Sequence, residues 1–276
     1  MRIVDAQVHI WAADTPERPW PGRETKPHRD PPIGADELLR MMDGAGVERA
    51  IIVPPSWEGD RNDLGLAAAQ KHPQRLAVMG RLAIEKPESR GLVDTWRKQP
   101  GMLGARFTFH TNEQRPWLSD GTADWLWAAA ERAQVPLMIH VPGSLDKVDP
   151  IAAKYPGLKL VIDHLGRASH DRDATGFGDL PLLLALAKRP NVAVKATALP
   201  CFSSESYPCK GLHPIIRQVF DAFGPKRMFW GTDISRLPCS YREGVTMFTE
   251  ALPFLSAADQ EWVMGKAICA WLDWPL

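Results

Sequence analysis

The sequence has few cysteines and no excess of either charge. Lys and Arg total 33, Asp and Glu total 33, and the formal net charge is zero. Because nucleic acids and anionic membranes are bound by basic surfaces, this balance predicts neither as a partner. No CxxC pair occurs among the cysteines, which predicts reduced thiols in a cytoplasmic protein rather than a disulfide framework. The four cysteines are Cys201, Cys209, Cys239 and Cys269.

Long apolar runs are also missing. No stretch approaches the roughly 18 consecutive apolar residues that indicate a membrane-spanning helix. In the N-terminal segment MRIVDAQVHIW, Asp5, Gln7 and His9 interrupt the apolar run, so no secretory signal peptide is predicted. No internal repeat, low-complexity tract or linker divides the chain. We therefore expect residues 1–276 to form a single domain.

Short apolar runs alternate with amphipathic stretches along the whole chain, which predicts an α/β protein with a parallel sheet. Eight strand–helix units close naturally into a single (β/α)8 barrel. A doubly wound open sheet is the alternative, but no GxGxxG motif follows the first strand. The predicted helices cover 35–45, 61–72, 87–98, 121–133, 145–154, 178–189 and 212–223, with more helix after 242. The predicted strands cover 3–9, 49–53, 76–80, 103–109, 136–140, 158–163, 192–196 and 227–231.

Two connections are too long to be plain turns. Residues 11–33 contain six prolines together with Trp11 and Trp20, and residues 197–211 form the second long loop. Long structureless loops in compact domains are usually functional or disordered. The stiffness of the prolines and the two tryptophans favour an ordered lid over residues 11–33.

Polar side chains occupy the predicted strand ends. Side chains alternate along a strand, so Asp5, Gln7 and His9 are expected to share the inward face of strand 1. Strand 4 places Arg106, Thr108 and His110 on one face. All strands of a parallel barrel direct their C-terminal ends to one mouth, where such enzymes carry catalytic groups. Further strand ends contribute His140, His164 and Asp233 to the same mouth.

The strings DAQVH, IH, DHLG and WGTD, in this order, resemble the amidohydrolase superfamily in its amidohydrolase-related branch. VIDHLGR, VKAT and FWGTD are most similar to 2-pyrone-4,6-dicarboxylate lactonase, which works without metal, and to its lactonase relatives. The resemblance covers nearly the whole chain. It implies a distorted (β/α)8 barrel that hydrolyses a small ester, lactone or amide, or that decarboxylates an aromatic acid as sister groups do.

The same resemblance implies site residues. The strand-1 HxH motif of the family corresponds to Gln7 and His9, and its later ligands correspond to His140, His164 and Asp233. Gln7 departs from the family pattern, because an amide oxygen is a poorer zinc ligand than imidazole. His9, His140 and Asp233 remain as a three-ligand site. The expected cofactor is therefore none or one divalent metal, zinc being the candidate.

The chemistry of each group suggests its role. Asp233 can take a proton from water, His9 and His164 can polarise a carbonyl, and His164 can alternatively protonate a leaving group. Arg106 presents a planar fork for a substrate carboxylate, unless it forms an internal ion pair with Asp5 or another acid. Lys195 lies in an apolar strand and needs a substrate anion or a carboxylate partner. Gln7, His110 and Trp11 complete the predicted substrate-binding set.

The leading hypothesis is a hydrolase of a small carboxylated lactone or related cyclic ester or amide, in which Asp233 activates water. A decarboxylase of an aromatic or unsaturated acid is the second hypothesis. A barrel that binds a ligand without catalysis is the third, because Gln7 replaces an expected ligand. The expected partner is a small anionic substrate, and the sequence leaves open whether the chain forms a homo-oligomer.

Overall fold

The computed structural model describes residues 1–21 and 26–276. Its single sheet has eight parallel strands in chain order, and the predicted (β/α)8 barrel is confirmed. Beyond the last strand, the Asp233 amide donates to the Gln7 carbonyl at 3.0 Å and so links the ends of the first and last strands. The strands are β1 Val4–Val8, β2 Arg49–Ile52, β3 Leu76–Gly80, β4 Met102–Thr108, β5 Leu137–His140, β6 Leu160–Ile162, β7 Val192–Thr197 and β8 Met228–Gly231.

Helices fill the connections close to the predicted positions. In the sixth α-helix the buried residues Ile215, Ile216, Val219 and Phe223 form one stripe that packs against the sheet. The predicted helix at 87–98 is a 3₁₀ helix, Pro87–Lys98, rather than an α-helix. The α-helices are α1 Ala35–Ala45, α2 Asp63–Lys71, α3 Asp124–Arg132, α4 Val148–Lys154, α5 Leu180–Ala185, α6 His213–Phe223, α7 Tyr241–Thr249, α8 Ala257–Glu261 and α9 Ala267–Trp271.

Short helical turns complete the connections. A π-helical turn, Trp262–Lys266, joins α8 to α9. The remaining 3₁₀ segments are Ser56–Glu58, Arg115–Leu118, Leu145–Lys147, Asp163–Gly166, Ala174–Phe177, Leu186–Lys188, Leu199–Phe202, Lys210–Leu212 and Ile234–Arg236. None of the α-helices in the described part of the chain is both long and apolar enough to cross a membrane.

The C-terminal segment closes the floor of the barrel. Ala267, Ile268 and Leu272 are buried together with inward-facing strand residues in one apolar cluster. The rings of Phe229 on β8 and Trp271 on α9 lie 5.9 Å apart between centroids. Burial of this cluster removes apolar surface from water, which stabilises the closed end at about 25 cal/mol per Å². The open end of the barrel is therefore the mouth formed by the C-terminal ends of the strands.

A β-bulge in β1 changes which side chains face the barrel interior. Asp5 pairs with Ala50 of β2 and Val8 pairs with Ile52, so Ala6 and Gln7 together stand opposite Ile51. A bulge of this kind interrupts the alternation of faces and re-aims a side chain. The prediction that Asp5 shares the face of Gln7 and His9 is therefore wrong.

Asp5 instead faces the outer layer. Its carboxylate accepts hydrogen bonds from the hydroxyl of Tyr241 on α7 at 2.8 Å and from the Thr232 amide and hydroxyl at 2.9 and 2.5 Å. Burial raises the pKa of Asp5 to about 6, against the opposing effect of these donors. Asp5 thus anchors the turn after β8 and takes no part in the mouth.

The described parts of the predicted lid, residues 11–21 and 26–33, pack on the barrel. The Trp11 amide donates to the Ile33 carbonyl at 3.1 Å, which joins the two ends of the loop. Arg18 pairs with the buried Glu58 at 2.9 Å and with Asp63 at 2.6 Å. The remaining part of the predicted lid, residues 22–25, lies outside the described residues.

Candidate active site

A cavity of about 800 Å³ opens at the mouth of the barrel. Its wall contains the predicted residues from five different strand ends, so the structure brings these distant sequence positions together. Two predicted substrate-binding residues are not in this wall: Trp11 packs edge-on against Trp57, with ring centroids 5.4 Å apart, and Lys195 is completely buried. The predicted residues that line the cavity are Gln7, His9, Arg106, His110, His140, His164 and Asp233.

Asp233 lies at the centre of this group. It follows β8 in a left-handed conformation, φ 53° and ψ 50°, which turns the chain sharply at the mouth. One carboxylate oxygen, Oδ1, lies 3.0 Å from Nε2 of His9, and Oδ2 lies 2.8 Å from Nε of Arg236. Burial alone would raise the pKa of Asp233, but the neighbouring His9 and Arg236 hold it well below its usual range. Asp233 is therefore ionised.

Gly231, two residues earlier, leaves the space that this arrangement needs. A Cβ atom at this position would lie 2.6 Å from Cγ2 of Thr197 and 2.8 Å from Oδ1 of Asp5. Both distances are shorter than van der Waals contact. A side chain at position 231 would therefore displace the β7 neighbour or the Asp5 anchor, and with it the turn that carries Asp233.

Lys195 fixes the orientation of the Gln7 amide. The ammonium of Lys195 donates to Oε1 of Gln7 inside the barrel. Because an ammonium has no acceptor, the amide oxygen must face Lys195 and the amide NH₂ must face the other way. That NH₂ lies 3.2 Å from Nε2 of His164 and 3.5 Å from Nε2 of His9. Lys195 thus acts on the site through Gln7 rather than by contact with the cavity.

The Gln7 amide in turn determines the tautomer of His164. A donor at Nε2 requires an unprotonated nitrogen there, so the ring proton lies on Nδ1, which contacts the Thr197 hydroxyl at 2.7 Å. Burial lowers the pKa of His164 well below its ordinary value, with Arg236 adding to the effect. His164 is therefore neutral, and its Nε2 accepts rather than donates. The predicted donation from His164 to a carbonyl would need the opposite tautomer.

Arg106 and Lys195 share the carboxylate of Asp163 beneath the cavity. Nε of Arg106 donates to Oδ2 at 2.9 Å, and Nζ of Lys195 lies 2.8 Å from Oδ1. Burial alone would raise the pKa of Asp163, but the two cations lower it far below its usual range. The internal ion pair considered for Arg106 exists, with Asp163 and not Asp5 as the acid. Arg106 nevertheless lines the cavity.

His140 and His110 lie on the other side of the cavity. Nε2 of His140 lies 2.9 Å from the Arg167 carbonyl, which can only accept, so this nitrogen carries a proton. Burial, then the nearby Arg106, lowers the pKa of His140 to about 3. The ring of His110 lies 5.6 Å from that of His140, and burial lowers its pKa to about 4. Both imidazoles are neutral at pH 7.

Two residues that the sequence did not single out belong to the site. His28, in the predicted lid, packs edge-on against Trp57 with ring centroids 4.8 Å apart, and its Nδ1 lies 2.7 Å from the Ser235 hydroxyl. This packing desolvates the ring and lowers the pKa of His28 to about 4, although the residue as a whole remains exposed. Arg236, three residues after Asp233, is the second. The position of Arg236, three residues after Asp233, could have been used to predict its place in the site. The position of His28 depends on the path of the loop and could not.

Positive charge predominates around the cavity. Five cationic side chains and three carboxylates line it. A second cavity of about 550 Å³ shares Arg106, Thr108 and His110 with the first and extends toward Trp117. The cations of the first cavity are Lys26, Arg106, Arg115, Arg167 and Arg236, and the carboxylates are those of Asp171, Asp179 and Asp233.

One group of side chains in the described part of the chain has the donors of a metal site. His9, His28 and Asp233 each place a donor atom within 4.8 Å of the other two. Two imidazoles and a carboxylate are the ligands of several catalytic zinc sites. Oδ1 of Asp233 is buried and lies 3.0 Å from Nε2 of His9, so these two donor atoms already face each other. The donor set thus fits a divalent cation, but it differs from the predicted set because the hydrogen bond to Arg167 engages Nε2 of His140.

Comparison with known proteins gives relatives over most of the chain. A 4-sulfomuconolactone hydrolase from Hydrogenophaga intermedia is 24% identical over 237 residues, which cover 83% of this chain and 73% of that protein. An L-fucono-1,5-lactonase from Burkholderia ambifaria is 25% identical over 249 residues, which cover 85% of this chain and 81% of that protein. Both relatives are lactone hydrolases, and the chain is an enzyme of the hydrolase type.

Comparison with solved structures agrees with the barrel fold described above. A crystal structure of an amidohydrolase from Burkholderia multivorans with bound zinc has a TM-score of 0.82 and 21% identity to this chain, with 100% of both chains covered. The family model described as Amidohydrolase matches residues 4–272. The chain therefore belongs to the amidohydrolase family, as its motifs indicated.

Proposed function

We propose that this chain hydrolyses a small anionic lactone in the barrel mouth, with Asp233 as the proton acceptor. The observation that carries the proposal is the buried pair of His9 and Asp233, 3.0 Å apart, in the wall of a cavity rich in guanidinium groups. The lactone-hydrolysing relatives support the same reaction class.

The reaction is a simple addition and elimination. The oxygen of water bonds to the lactone carbonyl carbon while one proton of that water passes to the Asp233 carboxylate. The ring C–O bond then breaks, and the proton passes from Asp233 to the leaving alkoxide oxygen. A positioned general base or acid of this kind contributes about 10²- to 10⁴-fold to the rate. The product is an open-chain hydroxy acid that carries one more carboxylate than the substrate.

The neighbours of Asp233 support this role. The low pKa keeps the carboxylate ionised, and His9 is held by a 2.6 Å contact between its Nδ1 and the Val53 carbonyl. Arg236, 2.8 Å from Oδ2 of Asp233, supplies positive charge near the carbonyl oxygen as it becomes negative during the addition. His164 is neutral, and its Nε2 accepts from the Gln7 amide, so it forms part of the polar wall beside Asp233 rather than a second base.

Substrate charge follows from the wall of the cavity. Nε of Arg106 donates to Asp163, and Arg106 lines both cavities. Guanidinium groups bind carboxylates through charge-assisted, often paired hydrogen bonds. We therefore infer that a substrate carboxylate or sulfonate lies near Arg106 while the lactone carbonyl lies near Asp233.

When a divalent cation is bound by His9 and Asp233, it would polarise the carbonyl or lower the pKa of water.

The proposal is tested with a panel of carboxylated lactones, each assayed with and without chelator, with ring opening followed by NMR. We expect hydrolysis by the parent and a loss of about 10² or more in kcat for Asp233→Asn, which keeps the shape but removes the base. The matched control is Asp221→Asn on the exposed face of α6, with activity like the parent. Equal activity of the parent and Asp233→Asn would overturn the role of Asp233.

The same panel separates the alternative functions. Release of carbon dioxide from an aromatic or unsaturated acid, without lactone hydrolysis, would indicate a decarboxylase. Binding without turnover of any compound would indicate a ligand-binding barrel. Both outcomes contradict the proposed lactone hydrolysis.

A further inference from the structure

We propose that His28, from the loop between β1 and α1, is a ligand for a divalent cation together with His9 and Asp233. In the family pattern the first strand supplies two imidazoles, but here Gln7 replaces one of them. A loop histidine would then provide the imidazole that β1 lacks. This inference concerns cation binding and does not depend on which substrate the enzyme hydrolyses.

Each of the three side chains has its second polar atom already held. Nδ1 of His9 lies 2.6 Å from the Val53 carbonyl, and Nδ1 of His28 lies 2.7 Å from the Ser235 hydroxyl. Oδ2 of Asp233 lies 2.8 Å from Nε of Arg236. Metal ligands characteristically have outer partners of this kind, which orient the ligating atom and set the tautomer. The atoms left for a cation are Nε2 of both rings and Oδ1 of Asp233.

The other imidazoles of the mouth are engaged elsewhere. Nε2 of His140 donates to the Arg167 carbonyl at 2.9 Å. Nε2 of His164 faces the Gln7 amide NH₂ at 3.2 Å, and Lys195 holds that amide in place through its oxygen. The same NH₂ lies farther from Nε2 of His9, at 3.5 Å, so a cation beside His164 would meet the amide hydrogens more directly than one beside His9. The strand residues thus direct a cation away from Gln7 and toward His28.

The spacing of the three donors is close to that of a tetrahedral zinc site. Nε2 of His9 and Oδ1 of Asp233 are 3.0 Å apart, and all three donor atoms lie within 4.8 Å of one another. Bonds of about 2.0–2.2 Å to a tetrahedral zinc ion place ligand atoms roughly 3.4 Å apart. Each pair of donor atoms is thus at most about 1.4 Å farther apart than such a site requires. Cation binding would therefore fasten residues 26–33 against the barrel mouth.

Zinc binding to the purified full chain tests the inference. After dialysis against chelator, the protein is titrated with Zn²⁺ and examined by native mass spectrometry. We expect one ion per parent chain and an affinity more than about tenfold weaker in His28→Gln. The matched control is His140→Gln, which removes the imidazole that the sequence pattern favoured and should bind zinc like the parent. Thermal melts of both variants establish that each is folded.

Two further readouts make the test specific. The visible spectrum of the Co²⁺-loaded parent should indicate a four-coordinate ion and should change in His28→Gln. Hydrogen exchange of the peptide covering 26–33 should slow when Zn²⁺ is added to the parent, but not when it is added to His28→Gln. Both measurements are made without substrate, so a failure of the lactonase assay leaves them unaffected.

Three outcomes would overturn the inference. The parent binds no zinc, or His28→Gln binds it as tightly as the parent, or His140→Gln loses it while His28→Gln keeps it. The last result would restore the ligand set of His9, His140 and Asp233 that the motif pattern predicts.

Discussion

The ammonium of Lys195 lies 2.8 Å from Oδ1 of Asp163, and neither side chain is exposed to solvent. Burial lowers the pKa of Lys195 while the Asp163 carboxylate opposes this. A charge buried this deeply is tolerated only when it is paired and hydrogen-bonded. Lys195 has both Asp163 and the Gln7 oxygen as partners, so the barrel interior below the mouth is a closed polar network.

Removing Lys195 alone should therefore be costly. We expect Lys195→Met to lower the free energy of unfolding by about 3–5 kcal/mol, because Asp163 loses one of its two cations in a dry interior. In the double variant Lys195→Met/Asp163→Asn, the loss should be clearly smaller than the sum of the two single losses. Urea unfolding of the parent, the two single variants and the double variant gives the coupling free energy between Lys195 and Asp163. Additive losses would show that the two side chains do not interact.

Arg106 should affect anionic substrates selectively. For a carboxylated lactone, Arg106→Gln should raise KM by about tenfold or more, since a charge-assisted contact is lost. For the methyl ester of the same lactone, KM should change little. The comparison of both substrates in one variant cancels general effects on the fold. Equal changes in KM would assign Arg106 to the Asp163 pair alone.

His110 should make stability depend on pH. The folded protein holds its pKa at about 4, whereas an unfolded histidine titrates near 6.5. Between these values the unfolded chain binds more protons, so the free energy of unfolding falls as the pH drops from about 6.5 toward 4. His140 acts in the same direction. In His110→Gln this decline should be shallower, as measured by urea unfolding at several pH values. An unchanged slope would contradict the neutral, desolvated state of His110.

Tyr241 should matter for stability and not for catalysis. Tyr241→Phe removes one of the donors to the buried Asp5 carboxylate and should cost about 1–3 kcal/mol. Because the bulge in β1 turns Asp5 away from the mouth, kcat should stay within about twofold of the parent. Unfolding and lactone hydrolysis are measured on the same preparation. A tenfold loss of kcat at full folding would place Asp5 in the active site after all.

The alternation of apolar and amphipathic segments was enough to predict the strands, and parallel topology was enough to predict one mouth. β3 and α1 have the predicted bounds, 76–80 and 35–45. The bulge at Ala6 and Gln7 was not predictable, because it depends on pairing with β2 and leaves no signal in β1 itself. Asp5 was misplaced for this reason.

The candidate site could be predicted for residues at or just after the C-terminal ends of strands, and not for residues on the long loop before α1. The convergence of His9, His164 and Asp233 on one cavity was predictable because strand ends meet in any barrel of this kind. His28 reaches the mouth only through the path of a proline-rich loop, and no short-range pattern encodes that path. Lys195 was assigned to the substrate because a lone lysine in an apolar strand needs an anion. The anion is Asp163, which the sequence places next to His164 but does not show to be buried.

The sealed floor of the barrel has a consequence for turnover. Residues 262–272 fill the lower end, so the substrate arrives and the product leaves by the same route, past the loop that carries His28. Ring opening adds a negative charge to the molecule while it is still surrounded by arginines. The enzyme would then hold its product more firmly than its substrate. Departure of the hydroxy acid, rather than cleavage of the ring, would limit the rate at low ionic strength, and added salt would accelerate it.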